Sequence, residues 1–359
     1  MARSERRKSA GRPRTGSQAR RGAQRGRPGR ARALLGRALS RIVDPLIFPS
    51  FDRTGFRIHS LGFDPTDLPA DLSGKRCVVT GANSGIGFET SLALARMGAE
   101  VALVCRDRLR GEGAAARIRS RSGNPRVSLA LADVSELESL RALAERLGPR
   151  PVDVLVHNAG VLPAARVETS DGLELCFATH VAGPFLLTSL LRSRLEAAPG
   201  ARVIWVSSGG MYTRRLNLSD VNWERRRYDG VVAYAETKRA QTVLAELWAA
   251  ALRGSAVRVN AMHPGWADTP AVRTSLPTFY RALRAVLRTP AEAADTAIWL
   301  AASPAARAAT GEFFFDRVAR SKHLLPWTRE SAGDRRALWQ LCERTLEERA
   351  AARPAGHAA

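Results

Sequence analysis

Arg76-Cys77-Val78-Val79-Thr80-Gly81-Ala82-Asn83-Ser84-Gly85-Ile86-Gly87 joins a short apolar run to a glycine-rich turn, and residues 88–97 continue as a helix. Gly98 suits the end of that helix, because glycine tolerates the left-handed conformation common there. A turn with glycines at 81, 85 and 87, set between strand and helix, lets backbone approach a pyrophosphate at the helix N-terminus. The spacing is four and then two, unlike the commoner dinucleotide loop with glycines two and then three apart. Alone, such a turn is equally an ordinary strand-to-helix connection. The rest of the chain decides its meaning.

Apolar runs at 76–80, 100–105, 127–132, 152–157, 203–206, 257–262 and 312–315 read as about seven strands. Helical patterns at 107–119, 135–147, 171–196, 232–252 and 290–302 lie among them. This alternation predicts a Rossmann-type doubly wound α/β fold with a parallel sheet and helices on both faces, one catalytic domain over 73–320. Right-handed crossovers then line the strand C-termini along one edge, where ligands bind. Residues 321–359 are a C-terminal helical extension, whose charged helix at 330–352 docks through Leu338, Leu341 and Leu346.

The net charge of +22 is unevenly spread over the 359 residues. Residues 1–41 hold fourteen basic groups and one acid, Glu5, whereas the remainder is only moderately basic. Residues 1–32 carry almost no large apolar side chains, so they read as a disordered basic tail. Residues 33–72 form an amphipathic helix and lead-in. Leu34, Leu35, Leu39, Ile42 and Leu46 recur at helical spacing, with Arg37 and Arg41 on the other side. That combination suits the headgroup region of an anionic membrane, appended to a catalytic domain that folds without it. The alternative is a helix that packs on the enzyme body. No run reaches the roughly 20 consecutive apolar residues of a membrane span. The four cysteines lack metal-ligand spacing and read as small buried hydrophobes, so no metal site is expected.

The strand ends carry the chemistry. Strand two ends at Cys105-Arg106. A neutral residue stands where an acid would accept ribose hydroxyls, and the guanidinium after it suits a 2′-phosphate, so NADP(H) is preferred while NAD(H) stays open. Asp133 is placed to accept from the adenine amino group, and Asn158-Ala159-Gly160 leave room beside the adenosine. Ser208 follows strand five, and Tyr234 precedes Lys238 by one helical turn, so phenol and ammonium share a face. A tyrosine near its ordinary pKa of about 10 is a poor acid–base group at neutrality, and a nearby ammonium lowers that value. Pro264, Gly265 and Thr269 follow strand six and suit the nicotinamide carboxamide. Trp266 and Ser208, with Tyr234, face the substrate. Leu276, Phe279, Tyr280 and Leu283 between Thr269 and Leu287 suggest an apolar pocket.

On these motifs the chain resembles the short-chain dehydrogenase/reductase superfamily. It is most similar there to the group named dehydrogenase/reductase member twelve, through Val206-Ser207-Ser208-Gly209-Gly210-Met211, Met262-His263-Pro264-Gly265-Trp266-Ala267-Asp268-Thr269-Pro270 and the lead-in Phe63-Asp64-Pro65. The resemblance implies hydride transfer between nicotinamide and a carbonyl or alcohol carbon of a lipophilic substrate. Tyr234 is then the acid or base, Lys238 the ribose holder and Ser208 the group that polarises the reacting oxygen. It also implies an Asn, where this chain has His180, that orders a water linking the lysine to solvent. Histidine either keeps that relay or weakens it. The rival reading is therefore a catalytically weak NADP(H)-binding regulatory protein of the same fold. A cytoplasmic, membrane-peripheral location is expected, or a mitochondrial one if the source is eukaryotic. Sequence-specific nucleic-acid binding is not expected, and homo-oligomerisation is left open.

Overall fold

The computed structural model describes residues 28–64, 66–68 and 71–351. Three helices lead in, α1 (Pro28–Val43), α2 (Ile47–Phe51) and α3 (Arg53–Ser60). Then follow β1 (Arg76–Thr80), α4 (Gly85–Arg96), β2 (Glu100–Cys105), α5 (Arg108–Ser122), β3 (Val127–Leu131), α6 (Leu137–Leu147) and β4 (Val154–His157). A short helix α7 (Leu175–Phe177) passes through a π-helical turn, Ala178–Ala182, into α8 (Gly183–Glu196). The second half holds β5 (Arg202–Val206), a 3-10 turn at Gly209–Thr213, α9 (Gly230–Ala251) and β6 (Arg258–Met262). It ends with α10 (Pro270–Ser275), α11 (Pro277–Leu283), α12 (Pro290–Ala302), β7 (Phe313–Phe315), β8 (Val318–Ala319) and α13 (Ala332–Ala351).

The strands form one sheet in the order β3-β2-β1-β4-β5-β6-β7-β8, parallel throughout except for the β7–β8 pair. The order reverses between β1 and β4, which opens the crevice where a doubly wound sheet takes its ligand. Strand β1 shows why the sequence run was continuously apolar. Val78 faces the core under α6 and α8, whereas Cys77 and Val79 face the core under α4 and α12, so both faces are covered. The eighth strand has no sequence signal. Its hairpin turns through Asp316 and Arg317, both at positive φ (48° and 61°), without the Asn-Gly or Asp-Gly pair that marks such turns. The expected long helix is present, but its start is α7 and the π turn. Leu175–Glu196 is long and apolar enough by length and composition to cross a membrane, yet 78% of that window is buried inside the domain.

Residues 1–27 of the expected tail lie outside the described residues, and 28–32 begin α1. The lead-in is not separable from the domain. Phe51 belongs to the core, and the fully buried Arg288 donates to the carbonyls of Phe51 and Asp52 at 3.0 Å and of Ser50 at 2.9 Å. Arg288 also grips Asp316 with both terminal nitrogens, at 2.6 and 2.8 Å. His59 of α3 lies 2.5 Å from Asp316 and 3.0 Å from Asp44, which in turn pairs with Arg320. A chain starting near Phe51 would lose the Asp44 contact to His59 and the Ser50 carbonyl on Arg288. The C-terminal helix docks as expected through Leu338, joined by Cys342 and by Trp339, whose ring stands 4.9 Å from Phe185 and 5.0 Å from Trp248. All four cysteines are buried free thiols, and no metal-binding cluster occurs among the described residues.

Candidate active site

The glycine loop connects β1 to α4. Gly81 and Gly85 take positive φ, 65° and 56°, which a side chain would strain. At Gly87 the reason is space, since a Cβ there would run into the Asn158 amide and the Gly81 carbonyl. Asn158 also holds the loop in place. Its Nδ2 donates to Thr80 O at 2.8 Å and Gly81 O at 3.2 Å, clamping the loop to β4. Thr80, which the sequence reading passed over, completes the clamp, because its Oγ1 accepts from the Asn158 and Ala159 N–H groups at 2.9 and 3.0 Å. From below, the buried Cys105 thiol is bonded by the backbone N–H groups of Ala82 and Asn83. Burial pushes that thiol up to about 11.

A dinucleotide fits this cradle. Ser84 is the N-cap of α4 yet makes no side-chain cap bond, so the first-turn N–H groups are left for a pyrophosphate. Asn83, Ser84, Gly85 and Ile86 are partly exposed along the loop, and a Cβ on Gly85 would lie 3.4 Å from Thr269 Cγ2 across the crevice. Thr269 caps α10 through Val272 N at 3.3 Å. Arg106 leaves the end of β2 with 63% of its side chain exposed and stands 3.8 Å from Asp133. The other Asp133 oxygen accepts from Ser135 N and Oγ, which fixes the carboxylate at the tip of β3. Gly265 also has a structural requirement. Its φ is 73°, and a Cβ there would strike the Arg288 guanidinium, while the Pro264 carbonyl lies 3.5 Å from that group.

Ser208 and Tyr234 meet across Gly210. A Cβ on that glycine would lie 3.6 Å from Ser208 Oγ and 3.9 Å from Tyr234 Cε1. Ser208 Oγ accepts from Gly210 N at 3.2 Å. Burial holds Tyr234 above its usual value, opposed by the Ser208 side chain. The lowering expected from Lys238 does not appear. The ammonium is 5.5 Å from the Tyr234 ring centroid and donates instead to Val206 O and Gln241 Oε1, both at 2.9 Å. Burial pushes Lys238 down to about 7.

His180 lies in the π turn at the rear of this pair, its ring edge-on to Tyr234 with centroids 5.4 Å apart. Val161 N donates to its Nε2 at 3.0 Å, which leaves Nδ1 to donate to Thr237 Oγ1 at 2.8 Å. Burial, and then the Lys238 charge, hold it neutral. With both nitrogens bonded elsewhere, His180 fixes the π turn to α9 and does not reach the lysine. A Cβ on Gly160 would lie 3.4 Å from His180 Nε2 and 3.7 Å from Lys238 Nζ, so that glycine keeps the lysine face open.

The substrate side is aromatic, and half of it comes from the lead-in. Trp266 packs against Phe48 at 4.8 Å, Phe51 at 5.9 Å and Phe279 of α11 at 5.5 Å. Phe51 also fits against Gly209, next to Ser208. The two phenylalanines were missed because their helix lies more than 150 residues before Ser208, Trp266 and Phe279, the residues they join.

Fold and site define a class, the Rossmann-type oxidoreductases that act on CH–OH and C=O groups with a nicotinamide dinucleotide and a Tyr-Lys pair. The short chain dehydrogenase family matches over residues 75–278. A Bos taurus "Dehydrogenase/reductase SDR family member 12" is 43% identical over 82% of this chain and 93% of its own length. A Homo sapiens "Retinol dehydrogenase 14" is 33% identical over 77% and 87%. Among solved structures, an NAD(P)-dependent gluconate 5-dehydrogenase from Beutenbergia cavernae with bound NADP superposes with a TM-score of 0.56 at 28% identity, over 68% of this chain and 96% of that one. The chain belongs to the short-chain dehydrogenase/reductase superfamily, within its family-member-12 group.

Proposed function

We propose that this oxidoreductase prefers NADP(H) and acts on a lipophilic carbonyl compound or secondary alcohol. The observation that carries the reading is the meeting of Ser208 and Tyr234 across Gly210, with the Lys238 ammonium 5.5 Å from the Tyr234 ring and facing Gly160. The cofactor supplies the hydride. The α4 N-terminus would hold its pyrophosphate, Lys238 its nicotinamide ribose, Asp133 its adenine edge and Arg106 a 2′-phosphate. Ser208 orients the substrate oxygen, and Tyr234 gives that oxygen a proton in reduction or takes one in oxidation. The aromatic wall of Phe48, Phe51, Trp266 and Phe279 excludes water and favours an apolar substrate. Retinol dehydrogenases among the relatives agree with that substrate class.

Lipophilic aldehydes, ketones and alcohols, assayed with each cofactor through nicotinamide absorbance, test the reading. Turnover with NADPH exceeding that with NADH is expected. Because Arg106 is exposed, Arg106→Ala should weaken NADPH binding by roughly tenfold, near the lower end for a charge-assisted contact, and leave NADH unchanged. Equal losses for both cofactors overturn the NADP(H) assignment.

The outer face of α1 and α2 supports peripheral contact with an anionic membrane. Leu35, Ile42, Leu46, Ile47 and Phe48 are about half or more exposed beside the exposed Arg32 and Arg41, while the segment's acids, Asp44 and Asp52, turn inward. The protein should sediment with phosphatidylglycerol vesicles at low salt and be released at high salt. Ile42→Glu with Leu46→Glu should abolish sedimentation and spare turnover of a soluble substrate. A wild type that ignores these vesicles ends the membrane reading.

A further inference from the structure

Gln241 lies three residues after Lys238 on the same face of α9 and is fully buried. Its Oε1 accepts from Lys238 Nζ at 2.9 Å, and its own Nε2 is buried without a protein partner. Val206 O, at the end of β5, accepts a second Lys238 proton at 2.9 Å. The titratable groups that face the ammonium are Tyr234 on its own helix, His180 on the π turn and Cys176 on α7. Burial keeps His180 neutral and Cys176 a thiol, and no carboxylate pairs with Lys238 among the described residues. A buried ammonium needs its N–H groups bonded, and here two neutral oxygens do this from behind the active face. The third donor remains for the Gly160 side, where the cradle is open.

We propose that Gln241 is a positioning residue: with Val206 O it fixes the Lys238 ammonium beneath Tyr234 and leaves one N–H for the cofactor ribose. The inference rests on the reading of Tyr234 and Lys238 as the acid–base pair. It also explains how the chain manages with a histidine at position 180, because the lysine takes its rear contact from its own helix.

The chain has four lysines, Lys8, Lys75, Lys238 and Lys322, so lysine ε-carbon NMR of the full-length, cofactor-free protein resolves Lys238 directly. Gln241→Met keeps the side chain's shape and removes the acceptor. The Lys238 titration should then move about one pH unit lower. Gln241→Glu keeps the acceptor and adds charge, so the titration should move higher. Shifts of opposite sign cannot come from a folding defect. In steady state the alkaline limb of kcat/KM should follow the same order, with kcat roughly tenfold lower in the Met variant. Identical Lys238 titrations in all three proteins overturn the proposal. A wild type that binds NADPH but turns over no substrate would instead count against the oxidoreductase reading, with the NMR titration still deciding Gln241.

Discussion

Replacing Tyr234 by Phe is expected to lower turnover by about 10²–10⁴-fold while NADPH still binds. That range is the usual contribution of a positioned general acid–base group. The substitution removes only the phenolic oxygen, and the ring keeps its edge contact with His180 and its place above Lys238. Ser208 keeps its place, because Gly210 N holds its hydroxyl at 3.2 Å. Steady-state rates with the best carbonyl substrate, together with NADPH binding followed by fluorescence, separate the two effects. Wild-type rates in the Phe variant would show that the chemistry lies elsewhere, and loss of binding alone would assign Tyr234 to cofactor recognition.

Arg288→Met is expected to destabilise the whole domain by about 3–5 kcal/mol, the range seen when one member of a buried ion pair is removed. The change leaves Asp316 almost fully buried without its guanidinium, and it strips the donors from the carbonyls of Ser50, Phe51 and Asp52. For a domain of this size that corresponds to a fall in Tm on the order of 10 °C, measurable by a thermal melt. Activity should fall with it, since the same carbonyls seat Phe51 against Gly209 beside Ser208. Burial pushes the Asp316 carboxyl up, but the Arg288 charge and the His59 and Arg288 hydrogen bonds outweigh it and leave the group below its usual value. The stabilisation from this ionised carboxylate is therefore complete above the ordinary Asp pKa of about 3.9 and is lost as pH falls through the lowered folded value. An unchanged melting temperature in the Met variant would show that the lead-in is held by its apolar contacts alone.

Most of the architecture was legible locally. Seven of the eight strands are apolar runs of the right length, and most precede a turn or helix start that glycine, proline or an N-cap residue marks. The glycine loop, Ser208, Tyr234 and Lys238 were found because a strand end or a helix repeat fixes their spacing. Strand β8 escaped because Asp316 and Arg317 turn without glycine, a conformation the buried Arg288 contact holds in place. Helices α10 and α11 were read as loop because Pro270 and Pro277 break the segment, although each proline sits at a helix start where its missing N–H is harmless.

Sequence alone determined the alternation of strands and helices, the parallel sheet covered on both faces and the candidates for the acid–base pair, since these follow from periodicity and from spacings within one element. Only the tertiary structure decided what those residues touch. Nothing in the sequence singles out Arg288, which Asp316 and three carbonyls about 236–238 residues upstream enclose. Asn158 reads as a neighbour of the cofactor, and only the fold shows its amide clamping Thr80 and Gly81. Lys238 reads as a partner for Tyr234, and only the fold shows that Val206 and Gln241 hold its nitrogen from behind. A buried polar group must satisfy its bonds wherever the fold brings acceptors, and that choice is made by contacts far apart in the chain, which no local pattern encodes.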